Sequence, residues 1–388
     1  MRFLHTSDWH LGRSLHGQPL LDAQGRFVDF LVDVVRDQGI EAVLVAGDLY
    51  DRAIPPVDAV ELFDDALRRL VGLGVPVVVI SGNHDSAARL GFAADLLAAS
   101  GVHIRTDPGD AAPVLLADSH GPVAIYPVPY LEPELAWTTL GAEAPRHDAV
   151  VRAAMDRVRA DASSQPAGTR TVVVAHAFVG NVGDAELSDS ERDITVGGSA
   201  IVPAAMFDGA HYVALGHLHA FQRPSADRVT YSGSPLAYSF SEARSTKSVT
   251  IVELDAAGSV SLERIPCPVD RPLACVSGTL ESLLGDAQWS KYEDHWLSVT
   301  LTDHDVPTEP MGRLRERFSG VLQLTVTTRL SAVDGSYIGR FAGLDDLGTA
   351  VRFVEDMRHR PATAEERELL REAFESLRVE ALQGEVAR

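Results

Sequence analysis

The sequence predicts an α/β protein with a smaller α+β region behind it and a helical end. Three observations carry this. From residue 1 to about 265, short apolar β-branched runs alternate with segments of helical apolar spacing. Several of those runs end on Gly or a turn and then present a carboxylate, an imidazole or an amide, as strand ends of α/β proteins do where chemistry is assembled. After Pro266-Cys267-Pro268 the pattern shifts to a compact β-α-β-α-β order and then to helices alone.

In chain order, Arg2–Ser7 reads as a strand opening into Asp8-Trp9-His10-Leu11-Gly12. Leu20–Gln38 has one apolar face at helical spacing. Glu41–Ala46 is a buried strand entering Gly47-Asp48-Leu49-Tyr50-Asp51. Pro55-Pro56 start a helix over Val57–Leu73. The strand Val75–Ser81 runs into Gly82-Asn83-His84-Asp85, and Ala87–Ser100 is helical. Residues 101–122 read as an irregular edge. Val123–Val128 is a strand, followed by a Pro-interrupted loop to Pro145. Asp148–Ser163 is a helix. Thr171–Ala175 delivers His176, and Gly180–Gly198 is a long polar connection. His211–Leu215 ends in Gly216-His217-Leu218-His219. Val229–Ser232, Ser248–Leu254 and Ser259–Ile265 close the series.

In the last third, strands at Pro272–Ser277, Trp296–Thr302 and Val321–Arg329 enclose helices at Leu280–Leu284 and Met311–Phe318. Helices follow from Leu344, with Thr363 and Glu366 spaced as a capping box and Gly384 as a stop. The expected division is 1–267, 268–340 as a small α+β cap, and 341–388 as a helix pair suited to docking on a partner.

Composition narrows the function. The 388 residues hold 34 basic and 55 acidic side chains, a net charge of −21, which argues against a chain that grips nucleic acid over its whole surface. No apolar run is long enough for a membrane span, and the first residues turn polar too early for a signal peptide. Cys267 and Cys275 make neither a disulfide framework nor a zinc spacing, so a cytoplasmic setting is expected. No G-x-x-x-x-G-K-[ST] loop occurs, so nucleotide hydrolysis would belong to another chain.

Five strand-to-site junctions remain: Asp8/His10, Asp48, Asn83/His84, His176 and His217/His219. Alone, Asn83-His84-Asp85 reads equally well as a polar turn, and for Asp8-x-His10 alone a polar turn is the better reading. Together they offer carboxylates, an amide and imidazoles, a mixed N/O set suited to a pair of divalent first-row cations. A shared carboxylate holds two such cations about 3.5–4 Å apart, lowers the pKa of a bound water and offsets charge on phosphate oxygens. His5, His16, His103, His120, His147, His211, His295, His304 and His359 read as structural or surface residues.

The ordered set D-x-H, G-D-x-x-D, G-N-H-D, a lone His and G-H-x-H resembles the calcineurin-like metallophosphoesterases. Thr6–Gly12, Gly47–Asp51, Ala214–His219 and Tyr231–Leu236, with the loop Leu187–Gly198, are similar more narrowly to the bacterial nuclease subunits that work with an SbcC-type coiled-coil ATPase. The resemblance implies a β-sandwich flanked by helices. It implies Asp8, His10 and His219 at one metal, Asn83, His176 and His217 at the other, and Asp48 bridging. The metal would be manganese, with magnesium, iron or zinc as alternatives. His84 is outside both sets and is expected to stabilise the transition state or donate a proton. Asp85 is expected to orient His84 or a ligand, and Asp51 stands where related nucleases carry His. Arg192 either approaches substrate or is a solvated loop cation.

The implied activity is ATP-stimulated exonuclease on duplex DNA and endonuclease on single strands and hairpins. It would proceed without a covalent intermediate, in a homodimer within a heterotetramer serving DNA repair and recombination. The alternatives are a small-substrate phosphomonoesterase or cyclic-nucleotide phosphodiesterase, and a metal-bound but inactive scaffold for the ATPase.

Overall fold

The computed structural model describes residues 1–180, 188–191, 201–226, 228–327, 343–358 and 360–386, with side chains to residue 376. It divides into two compact units, one of Met1–Asp303 with Pro307–Val326 and one of His304–Val306 with Thr327–Arg388.

The first unit is built on two six-stranded sheets. One runs in the order Val260–Pro266, Ser248–Leu254, Arg2–Thr6, Ala42–Ala46, Val77–Ile80, Val102–Arg105; the other runs Gln222–Ser225, Val229–Tyr231, Tyr212–Gly216, Arg170–His176, Gly121–Val128, Val114–Asp118. Strand alternation explains how they stack. Phe3, Leu44, Ala46, Val78 and Ile80 of the first sheet share a core with Val172, Val174, Tyr212 and Ala214 of the second. The opposite face of the first sheet, with Leu4, Val43, Val45 and Val79, packs under the helices Leu21–Asp37 and Val57–Gly72. The opposite face of the second packs under Pro133–Leu140 and His147–Ser164. The result is a helix–sheet–sheet–helix sandwich.

His5 is the polar exception in the inner core. It is fully buried and its ring meets Tyr212 Oη at 2.8 Å and the Leu215 carbonyl at 3.1 Å, joining the sheets as a satisfied structural residue.

The site-bearing strands are parallel to one another within each sheet, so their C-terminal ends gather at one edge of the sandwich. Close approach there leaves no room for a side chain at Gly216, where an added Cβ would lie 1.8 Å from the Ala46 carbonyl oxygen of the facing sheet.

Of the expected cap, residues 268–303 and 307–326 lie in this first compact unit. Leu273–Gly278, Trp296–Leu301 and Val321–Val326 form a parallel three-stranded sheet with helices Leu280–Gly285 and Pro310–Arg317 around their own core, the β-α-β-α-β order expected. In the second unit, helices Asp346–Arg358 and Ala364–Val386 pair, and the capping box forms. The Thr363 N–H donates to Glu366 Oε2 at 2.8 Å and the Glu366 N–H donates to Thr363 Oγ1 at 3.2 Å.

Four expectations need correction, and one strand lies where none was foreseen. The edge 101–122 contains strands Val102–Arg105 and Val114–Asp118, short enough that alternation barely registers. The loop before Pro145 contains the helix Pro133–Leu140, whose Pro sits at the first helical position, where a missing N–H costs nothing. Ala87–Ser100 is two short helices, Ala87–Leu90 and Ala94–Ala98, broken where Ala93 takes φ +60°. Gln222–Ser225 is an edge strand despite Pro224, which an edge tolerates. The last helix runs through Gly384 to Val386. Residues 181–187 and 192–198 of the long polar connection and 328–329 of the last cap strand, together with Arg192, His359 and the 340/341 boundary, lie outside the described residues.

Candidate metal centre

All five junctions meet. Asp8 and His10 follow Arg2–Thr6, Asp48 follows Ala42–Ala46, and Asn83 and His84 follow Val77–Ile80. His176 ends its strand, and His217 and His219 follow Tyr212–Gly216. Donor atoms of Asp8, His10 and His219 lie within 4.8 Å of one another, as do those of Asp8, Asp48 and His176, and those of His10, Asp48 and His84. His10 Nε2 is 3.2 Å from His219 Nε2. Asp48 Oδ2 lies 3.8 Å from His10 Nε2 and 3.6 Å from His176 Nε2. Asn83 Oδ1 sits 2.9 Å from His176 Nε2 and 3.2 Å from His217 Nδ1.

The backbone is strained to achieve this. Asp8, His10, Asp48 and His217 have φ of +54°, +44°, +48° and +115°, a region costing non-glycine residues on the order of 1–3 kcal/mol each. Paired loops hold them there. The Asp8 N–H donates to the Gly47 carbonyl and the His10 N–H to the Asp48 carbonyl, both at 3.0 Å, so the first two loops continue the pairing of their strands. The Asp8 carboxylate accepts from the His217 N–H at 3.1 Å, linking one sheet to the other. Gln24, fully buried on Leu21–Asp37, donates to the His10 carbonyl at 2.7 Å.

Asp85 acts on backbone. Its carboxylate accepts N–H groups of Leu49 (3.0 Å), Tyr50 (2.9 Å) and Gly82 (2.9 Å), stapling the Asp48 loop to the Asn83 loop. Gly82 permits the contact, because a Cβ there would lie 2.1 Å from Asp48 Oδ1. His84 is half-buried, and its ring centroid is 4.7 Å from that of His10. The His84 N–H donates to Asp48 Oδ1 at 2.8 Å. Its Nδ1 lies 2.9 Å from the Asp51 carbonyl, which only accepts, so Nδ1 carries a proton. The Asp51 carboxylate is 3.8 Å from His10 Nδ1 and 3.3 Å from Arg13 Nη1.

The electrostatics suit a cation. Burial, with the neighbouring imidazoles, holds His10 and His217 well below the usual imidazole range, so both are neutral donors. Burial first, and Asp48 second, push Asp8 well above the usual carboxylate range. The same two causes raise Asp85 to about 7 against its three amide bonds. Buried His10 Nδ1 has no hydrogen-bond partner among the described residues. Neutral imidazoles facing two buried carboxylates that repel each other form the donor set of a divalent cation site.

Sequence reasoning missed the support behind His219. The His219 N–H donates to Glu191 at 2.7 Å, and burial raises Glu191 to about 7. Ser190, Glu242 and Lys247 are also buried there. One signal was readable: the chain has only two lysines, Lys247 and Lys291, and Lys247 follows closely on the quoted Tyr231–Leu236 segment.

Residues 1–221 match the family model described as calcineurin-like phosphoesterase. Residues 269–358 match the SbcD C-terminal model, described as the type 5 capsule protein repressor C-terminal domain. Together they mark an SbcD-type chain of the metallophosphoesterase superfamily. Among solved structures, TT1561 of Thermus thermophilus is 15% identical at a TM-score of 0.38, over 68% of this chain and 98% of its own. The phosphopantetheinyl hydrolase PptH of Mycobacterium tuberculosis is 16% identical at 0.38, over 68% and 95%. A dimetal phosphatase of Danio rerio is 11% identical at 0.38, over 69% and 96%.

Proposed function

This chain belongs to the calcineurin-like phosphoesterase family, and from that premise we propose that it is a divalent-metal-dependent DNA nuclease working with an SbcC-type coiled-coil ATPase. The family makes it a hydrolase of phosphate esters. The SbcD C-terminal match behind the Asp/His/Asn centre carries the finer reading. Asp8, His10 and His219 would hold one cation and Asn83, His176 and His217 the other, with Asp48 placed to serve both, and manganese is the expected metal. When bound, the cations supply a water acidic near neutral pH and charge compensation on the phosphate oxygens.

The chain's own residues do the rest. Asp48 and Asp85 fix the His84 loop by its amides. With Nδ1–H committed to the Asp51 carbonyl, Nε2 is the ring nitrogen of His84 left to serve the leaving oxygen or the phosphate, and donating a proton from it requires the doubly protonated ring. The test is manganese-dependent cleavage of labelled duplex DNA with the ATPase and ATP present. Cleavage of small phosphate esters alone under those conditions would sink the nuclease reading in favour of a small-substrate enzyme.

Two partners follow. Ile54 ahead of the helix Val57–Gly72 and Val57 and Val60 at its start are exposed, as are Phe92 and Leu96, and Arg89 Nη1 joins the two segments by donating to the Ala53 carbonyl at 3.2 Å. This apolar face supports a homodimer; a monomer in sedimentation velocity at assay concentration would exclude it. In the second unit, Phe353, Met357 and Leu369 are exposed on the helix pair, which supports ATPase docking by helix-in-groove contact. Deleting residues 341–388 is expected to abolish co-purification with the ATPase and leave basal cleavage unchanged. Retained association would place docking elsewhere.

The net charge of −21 gives a further expectation. Alone, the chain binds DNA weakly and more weakly as salt rises, because DNA affinity is largely phosphate neutralisation. Tight binding that persists at high salt in fluorescence anisotropy would contradict this.

A further inference from the structure

Behind His219 runs a buried polar chain. His219 Nδ1 lies 2.7 Å from Ser190 Oγ, and Ser190 Oγ lies 2.6 Å from Glu242 Oε1. The other Glu242 oxygen meets the Lys247 ammonium, which also donates to the His219 carbonyl at 2.8 Å and to Ser234 Oγ at 3.0 Å. Ser190, His219, Glu242 and Lys247 are 8%, 2%, 5% and 6% exposed. A buried ion pair is weak evidence for stability, since apolar residues of similar volume often do as well. Its place against a site residue gives it another use.

The proton directions follow from the donor inventory. A carboxylate paired with an ammonium only accepts. The Ser190 hydroxyl has one proton, and it goes to Glu242, which also accepts from Ser188 Oγ at 2.8 Å and from the Tyr238 N–H at 3.2 Å. Ser190 then has only lone pairs for His219, so His219 Nδ1 carries the ring proton. The neutral ring keeps its lone pair on Nε2, the atom that faces His10 Nε2 in the centre. The ring is also held by its own backbone, with Glu191 on the His219 N–H and Lys247 on its carbonyl.

We propose that Glu242, acting through the Ser190 hydroxyl and neutralised by Lys247, is a positioning residue that locks His219 as the Nδ1-protonated tautomer with Nε2 free to ligate a divalent cation. A serine is thereby inserted into the carboxylate–histidine–metal arrangement, since Glu242 Oε1 itself stands 3.6 Å from His219 Nδ1. The inference rests on the reading of His219 as a ligand.

The test uses the full-length, metal-free protein labelled with ¹⁵N-histidine, in which two-bond ¹⁵N–¹H correlations report ring tautomers. Wild type and Ser190→Thr are expected to show His219 protonated on Nδ1. Ser190→Ala and Glu242→Gln are expected to populate the Nε2–H form and to bind Mn²⁺ about 10–100-fold more weakly by calorimetry. Nε2–H in wild type would overturn the proposal whatever the variants do. So would an unchanged tautomer and Mn²⁺ affinity in folded Ser190→Ala, or equal losses in Ser190→Thr and Ser190→Ala. His219→Ala that keeps full Mn²⁺ stoichiometry would instead refute the ligand reading, so the two failures are distinguishable.

Discussion

His84→Gln is expected to bind divalent cations with the stoichiometry of the wild type and to cut DNA about 10²–10⁴-fold more slowly. Geometry separates the two properties. His84 sits within donor distance of His10 and Asp48, yet the proposed ligand sets are complete without it. Its backbone N–H, which the substitution retains, makes the bond to Asp48 Oδ1. Glutamine keeps a side-chain amide that can still donate a hydrogen bond, but it cannot deliver a proton. A loss confined to kcat would point to proton donation or transition-state stabilisation, whereas a loss confined to KM would point to ground-state phosphate binding. Calorimetric Mn²⁺ titration beside single-turnover cleavage decides it. If the variant loses a metal, His84 is a ligand and the assignment is wrong.

Asp48→Asn is expected to have the opposite signature. The side chain keeps an oxygen for the His84 N–H but loses the charge that faces His10 and His176. Metal stoichiometry should fall, and cleavage should drop on the order of 10³-fold or more, since bound cations supply several kcal/mol of transition-state stabilisation. The metal-free protein should melt at a higher temperature than wild type. Asp48 is a cause of the raised pKa of both Asp8 and Asp85, and removing its charge relieves that buried repulsion. Wild type should gain more thermal stability from added Mn²⁺ than the variant does. A variant that gains as much from Mn²⁺ as wild type would show that Asp48 does not serve the cations, and one that melts lower without metal would show that its charge is not a net cost to the metal-free fold.

Much of the centre was legible because strands end where polarity appears. Asp8, His10, Asp48, Asn83, His84, His176, His217 and His219 each follow or end an apolar β-branched run, and such runs in a parallel sheet deliver their ends to one edge. The single-residue roles beside them were less legible. Asp85 reads as an orienter of a side chain, whereas its carboxylate reaches three backbone amides across two loops. Ser190 and Glu242 lie 29 and 23 residues from His219 on either side, with no periodicity to join them.

The sequence by itself determined the alternation of strand and helix, the α+β order of the cap, the capping box at Thr363 and Glu366, and the donor types at the strand ends. Those follow from local spacing and side-chain chemistry, which a chain carries before it folds. Only the tertiary structure decided the left-handed backbone at Asp8, His10, Asp48 and His217. The same holds for the approach that excludes a side chain at Gly216 and for the buried relay from Lys247 to His219. Each of these needs two segments distant in sequence to meet at hydrogen-bond distance. That depends on how two sheets stack, and no local pattern encodes it.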